Sequence, residues 1–212
     1  MKHVTPYSVF ESEDQQPIRR VFTRLEMGWL DRCTRHSWKY NPSTGRVDVR
    51  EDFHCEDQGL TDFKGIEFGE IDGNFYCMNN KLTSLEGAPR KVNGSFNCNG
   101  NLLEDLIGAP DYVGWAFACA NNKLTSIEGA PMEGDCSFIS SGNPVSEDTL
   151  NMIFRSMKRS GDDYLKATES IWPQIPAEDQ ALLYRDHFSW VGADEVRKLD
   201  AMRTYGNIKG ML

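Results

Sequence analysis

The sequence predicts an α/β repeat protein: a thin solenoid of parallel strands, closed at each end by helical segments. Three observations carry that prediction. Cys55, Cys77, Cys98 and Cys119 recur at intervals of 22, 21 and 21 residues, and a fixed period of this length marks stacked supersecondary units. Three closely similar strings sit on that period: I-D-G-N-F-Y-C-M-N-N-K-L-T-S-L-E-G-A-P from Ile71, V-N-G-S-F-N-C-N-G-N-L-L-E-D-L-I-G-A-P from Val92 and V-G-W-A-F-A-C-A-N-N-K-L-T-S-I-E-G-A-P from Val113. On both sides of them the apolar spacing changes to that of helices.

Residues 1–46 are expected to cap the first coil. Pro17 is read as the start of an amphipathic helix whose apolar positions are Ile18, Val21, Phe22, Leu25, Trp29 and Cys33. A capping helix keeps the core of the first coil from water. Residues 38–49 alternate around a turn containing Pro42 and Gly45, which reads as a hairpin leading into coil one.

Residues 47–146 are expected to form about five coils, each contributing one parallel strand. A decayed first unit keeps Val49, Phe53, Cys55, Gln58, Leu60, Phe63 and Gly65 in their slots, and a partial last unit keeps Phe138, Ser140, Asn143 and Val145. Residues two apart on a strand share a face. Stacking therefore builds an inner phenylalanine column (Phe53, Phe75, Phe96, Phe117, Phe138) beside a thiol column (Cys55, Cys77, Cys98, Cys119). Asn80, Asn101, Asn122 and Asn143 fall where the chain leaves the strand, where an amide can satisfy backbone groups of its own and the adjacent coil. Gly-Ala-Pro at 87–89, 108–110 and 129–131 turns the chain and leaves no room for a full helix on the far side.

Residues 147–212 read as a helical module. Ser146 caps a helix with acid in its first turn and the stripe Leu150, Ile153, Phe154 and Met157, stopped at Gly161. A second helix is expected over 162–171, broken at Pro173. A third opens at Pro176 and Ala177 and carries Leu182, Leu183 and Tyr184, and a fourth includes Val196, Leu199 and Met202.

The slots F-x-C-x-x-N-x-L-x-x-L have the spacing of a leucine-rich repeat, with Phe and Cys in place of two strand leucines. The strings L-T-S-L-E-G-A-P at 82–89 and L-T-S-I-E-G-A-P at 124–131, and the N-P-V-S-E-x-T-L junction at 143–150, resemble leucine-rich-repeat proteins encoded by tailed bacteriophages over about residues 38–165. The resemblance implies a short leucine-rich-repeat solenoid in a phage-type binding protein. It supplies no catalytic residue to carry over.

Composition narrows the function. Of 212 residues 39% are hydrophobic and 23 are aromatic (11 Phe, 7 Tyr, 5 Trp), which excludes a wholly disordered, collagen-like or mucin-like chain. The net charge of −9 disfavours nucleic acid as the main ligand. It is unevenly spread: 47–146 carry 6 basic and 16 acidic residues, a net −10, whereas 1–46 carry 8 and 5, a net +3. The amino end lacks a secretory apolar run and no stretch reaches the ~18 apolar residues of a membrane span, so a cytoplasmic protein without membrane association is expected.

Catalytic and metal chemistry find little support. The cysteines lack the short C-x-x-C turn of a structural zinc site and read as buried free thiols, so no metal or cofactor is expected. Cys136 could join the inner face, standing where Gly73 and Gly94 are small. His54 and Cys55 are adjacent on a strand and face opposite sides, so they cannot act as base and nucleophile. His187 beside Asp186 reads as a solvated pair. Phosphate-loop, dinucleotide and H-E-x-x-H strings are absent, and the 66 residues after 146 contain no cysteine, unlike the catalytic domain of bacterial leucine-rich-repeat ubiquitin ligases. Mimicry of DNA by the acidic repeats is a weaker alternative to a plain solvated surface.

The expected function is that of a non-enzymatic protein-binding module, phage-encoded, which engages a host protein or suppresses a defence factor; a virion or assembly component and an unrecognised enzyme are the alternatives. The expected binding surface is the concave sheet face, at Asp52, His54, Glu56, Asn74, Tyr76, Met78, Asn97 and Asn99. Its second half, Ala116, Ala118, Ala120, Ser137, Ile139 and Ser141, reads as small and nearly featureless.

Overall fold

A computed structural model describes residues 20–183. Helix α1 (Arg24–Thr34) opens this part. It is followed by the strands β1 (Trp38–Asn41), β2 (Arg46–Val49), β3 (Phe53–His54), β4 (Phe68–Ile71), β5 (Phe75–Tyr76), β6 (Lys91–Val92), β7 (Phe96–Asn97), β8 (Tyr112–Val113), β9 (Ala116–Ala118) and β10 (Ser137–Ile139). Helices α2 (Glu147–Ser160), α3 (Tyr164–Ile171) and α4 (Ala177–Leu183) close it, with a short 3-10 turn over Trp172–Gln174. Two five-stranded sheets run the length of the solenoid, in the orders β1-β2-β4-β6-β8 and β10-β9-β7-β5-β3. All neighbours are parallel except β1 and β2, which form the expected hairpin.

The second of these sheets is the strand stack read from the repeat. Phe53, Phe75, Phe96, Phe117 and Phe138 stand in register, their rings nearly parallel at centroid separations of 4.7 to 5.9 Å. Such pairs are worth ~0.5 to 1.5 kcal/mol each beyond the area they bury. Both ends of the column are closed by an aromatic ring: Trp29 of α1 meets Phe53 edge-on at 5.5 Å, and Phe154 of α2 stacks on Phe138 at 4.4 Å. The caps thus replace the missing next coil with a ring of similar size.

Beside the rings run Cys55, Cys77, Cys98 and Cys119, all buried with free thiols, as are Cys33 and Cys136. Three thiols donate along the stack, Cys77 to Asn97 O, Cys98 to Ala118 O and Cys119 to Ile139 O at 3.3 to 3.5 Å. Burial pushes all six thiols above the ordinary cysteine range.

The asparagine ladder forms as its position implies. Asn101 accepts from Leu82 N and donates to Cys77 O and Cys98 O. Asn80, Asn122 and Asn143 likewise bond backbone of their own and the preceding coil. At each Gly-Ala-Pro the glycine has φ of 85° to 88°, and a Cβ on Gly129 would lie 2.3 Å from Leu106 O, so only glycine passes.

The other sheet was not read from the sequence beyond its hairpin. β2 buries Val47 and Val49 and β4 buries Phe68 and Ile71, but the two-residue strands β6 and β8 bury only Val92 and Val113, which is too short a signal for strand periodicity along the sheet. Four coils carry both strands. In the fifth this sheet is reduced to a single bridge between Tyr112 and Glu133. The second hairpin strand, β2, belongs to this sheet as well, so the expected boundary at 46/47 falls inside a strand.

The capping helix differs from expectation. It begins at Arg24, where Thr23 accepts from Glu26 N and the Glu26 carboxylate accepts from Thr23 N, a reciprocal cap that fixes the start. Phe22 therefore precedes the helix and packs edge-on against Trp38 and Tyr40. Val21 and Leu25 are exposed, and the buried residues are Trp29, Leu30, Cys33 and Thr34. Pro17 and Ile18 lie outside the described residues, as do Tyr184, Asp186, His187, Val196, Leu199 and Met202.

Helix α2 is capped by Ser146 and ended by Gly161 at φ 72°, and α3 starts at Tyr164 on an Asp163 cap rather than at 162. No described helix is long and apolar enough to cross a membrane.

Candidate protein-binding face

The outward side of the Phe-Cys sheet is a set of three rows, because every strand presents the residues on either side of its Phe and Cys. The middle row is in register across all five strands as His54, Tyr76, Asn97, Ala118 and Ile139. Asp52, Asn74, Ser95, Ala116 and Ser137 precede it, and Glu56, Met78, Asn99, Ala120 and Ser141 follow it. The eight expected binding residues are all half-buried, with backbone fixed by the inter-coil ladder.

At one end the polar groups converge. His54 Nδ1 lies 3.1 Å from Glu56 Oε1, its Nε2 is 4.0 Å from Asp52 Oδ2, and its ring stacks on Tyr76 at 5.0 Å. Thr34, Arg35, Glu51, Asp52 and His54 line a groove of about 370 Å³ where α1 meets this edge. His54 and Cys55 do face opposite sides, His54 outward and Cys55 fully buried, so no nucleophile and base come together here.

Three of the eight residues are committed to the fold. Asp52 Oδ1 accepts from Asn74 N and Nδ2, Asn74 Oδ1 accepts from Ser95 N, and Asn99 Oδ1 accepts from Ala120 N. They form a second polar ladder between coils, which the sequence reading treated as free recognition groups. His54, Glu56, Tyr76, Met78 and Asn97 make no side-chain bond to a neighbouring coil and stay half-buried, with Asn97 Oδ1 accepting from Asn99 N and Glu56 Oε1 held by His54.

The second half of the face is not featureless. Ala118 and Ala120 are buried by their row neighbours, but Ile139 is exposed and Trp115, at the rim just before Ala116, is 71% exposed. Trp115 stands in the slot that holds Gly73 and Gly94 in the two preceding coils. The glycine has moved one place earlier, to Gly114, where a Cβ would lie 2.1 Å from Asn93 O. Comparing the slots across units would have exposed this residue, since one coil places the bulkiest side chain where its neighbours have none.

A second groove, of about 590 Å³, separates the last coils from α2 and α3, with Asp111, Glu128, Glu133, Asp162 and Asp163 around it. Lys158 bridges its two sides by donating to Met132 O and Gly134 O. At its base burial pushes the Tyr164 phenol up to about 12. Among the described residues no group of three or more His, Cys, Asp or Glu side chains is arranged to hold a metal ion. Comparison with protein-family models, with curated proteins and with solved structures finds nothing that matches this chain.

Proposed function

We propose that this is a non-enzymatic protein-binding module whose docking surface is the outward face of the Phe-Cys sheet, centred on His54, Tyr76 and Met78. The observation that carries the reading is the His54–Tyr76 stack, with Met78 and Asn97 beside it on a backbone immobilised by two side-chain ladders. A rigid surface offering an aromatic, a thioether and a half-exposed amide is what binding hot spots are made of, since little conformational entropy is lost on docking. The terminal helices support the same reading by their position: the rings of Trp29 and Phe154 close the ends of the column.

The partner fits a host-cell protein engaged during phage infection, a defence factor among the candidates, in the host cytoplasm. The resemblance of the repeat strings to phage leucine-rich-repeat proteins supports this biological setting. The test is affinity capture from the host cell with the wild-type protein and with Tyr76→Ala/Met78→Ala. Loss of one prominent captured protein, at an unchanged melting temperature, is the expected result. Undiminished capture by the double variant would move the contact surface elsewhere on the molecule.

A further inference from the structure

We infer that the docking face takes a cationic, arginine-containing polypeptide segment, with a guanidinium group seated over Trp115 and other basic groups paired with the carboxylates at the His54 end of the face. This rests on the protein-binding reading above and names the chemistry of the partner. Its first support is the way charge is sorted within each coil. The strands of the face and their flanks, residues 51–57, 72–79, 93–100, 114–121 and 135–142, contain Glu51, Asp52, Glu56, Asp57, Asp72 and Asp135 but no Lys or Arg. All six basic residues of the solenoid lie outside these windows, so the face is more one-sided than the acidity of the solenoid requires.

Of those carboxylates, Asp52 and Glu56 lie against the His54 ring. Glu67 and Glu70, on the other sheet and its approach, pair with Arg46 and Lys91. Among the described residues no Lys or Arg pairs with any of the six in these windows, and Glu56 Oε2 is shielded from solvent with no hydrogen bond. Arg35 lines the groove together with Glu51 and Asp52 without forming an ion pair with either.

The aromatic rings repeat the pattern. Cations of the chain itself sit over Phe22, Trp29, Tyr112 and Phe154, whereas among the described residues none sits over Trp115 or Tyr76. An exposed indole at one end of the face and an acidic edge at the other, with Tyr76 beside it, form a surface for a segment carrying guanidinium groups, which stack on a ring or donate to an acid. Charge complementarity therefore selects a basic protein segment and disfavours nucleic acid.

The test is fluorescence anisotropy with a fluorescein-labelled peptide of alternating arginine and leucine, and with its lysine and glutamate counterparts. The arginine peptide should bind, more tightly than the lysine peptide, and the glutamate peptide should not. Trp115→Ala should raise Kd about tenfold and abolish the preference for arginine over lysine, and Glu51→Gln/Glu56→Gln should raise Kd by about as much. Glu86→Gln/Glu128→Gln, which removes equal charge away from the face, should leave Kd within about twofold. Circular dichroism of each variant checks that the fold is retained.

Equal weakening by the distant pair, or an arginine peptide indifferent to Trp115→Ala, would overturn the inference as diffuse attraction to an acidic protein. If the arginine peptide fails to bind while Tyr76-dependent capture of a host protein persists, the cationic segment is wrong and the docking face stands. If capture is also independent of Tyr76 and Met78, both fail.

Discussion

Asn101 shows how single residues hold this fold, since one buried amide joins backbone atoms of two coils through four hydrogen bonds, the longest to Asn99 O at 3.5 Å. Asn101→Ala leaves Leu82 N, Cys77 O and Cys98 O short of that partner, at a cost of about 1 to 3 kcal/mol, which urea denaturation should show as a lower midpoint. The thiols give a second prediction at this scale. Native Cys55, Cys77, Cys98 and Cys119 should react slowly with a thiol reagent and rapidly once unfolded; fast native labelling of three or more would contradict the buried column. Their folded pKa values are raised, so the neutral thiols contribute stability fully below the unfolded value of about 8.5, and that contribution declines as pH climbs toward the folded values. The urea midpoint should accordingly fall between about pH 8 and 10, less steeply in Cys98→Ala.

At the scale of elements, the junction between solenoid and helices depends on Asp179 of α4. Its buried carboxylate accepts from Ser146 N at 3.1 Å, from Ser146 Oγ, and from Thr149 Oγ1 at 2.5 Å, all at the amino end of α2. Here a negative group is also favoured by the helix dipole. Asp179→Ala should cost about 2 to 3 kcal/mol and loosen α4 from α2, read as faster amide exchange in 177–183 at an intact Phe-Cys sheet. Exchange that stays slow there would show that α4 is held by its apolar contacts instead. Sequence reading found the Ser146 cap because a serine before two acids is a local signal. Asp179 was missed because its role depends on a contact 33 residues away.

The whole molecule is a one-dimensional stack in which each coil meets its two neighbours, and its stability should behave accordingly. Deleting residues 92–112 removes one unit of 21 residues and brings Val113 into the slot of Val92 and Phe117 into that of Phe96. The shortened protein should keep the far-ultraviolet spectrum and unfold cooperatively, with a lower midpoint and a smaller m-value because less surface is exposed. Loss of cooperative unfolding would mean that this coil has interactions the repeat does not describe.

The sequence alone determined the stack, its register and its polar ladder, because these follow from a period and from which residue types recur on it. Phe, Cys, Asn and Gly-Ala-Pro at fixed offsets leave a parallel coil as the arrangement in which each slot meets its copy. The tertiary structure decided the rest. The second sheet shrinks to two-residue strands with one buried valine each in β6 and β8, too little for a local pattern. The first turn of α1 was set by the Thr23–Glu26 cap rather than by the apolar spacing that suggested an earlier start. The face itself was legible as alternate residues on a strand. Which of those side chains are consumed in holding the coils together, and which are left half-exposed on a face that ends at Trp115, depends on distances between coils that no single repeat contains.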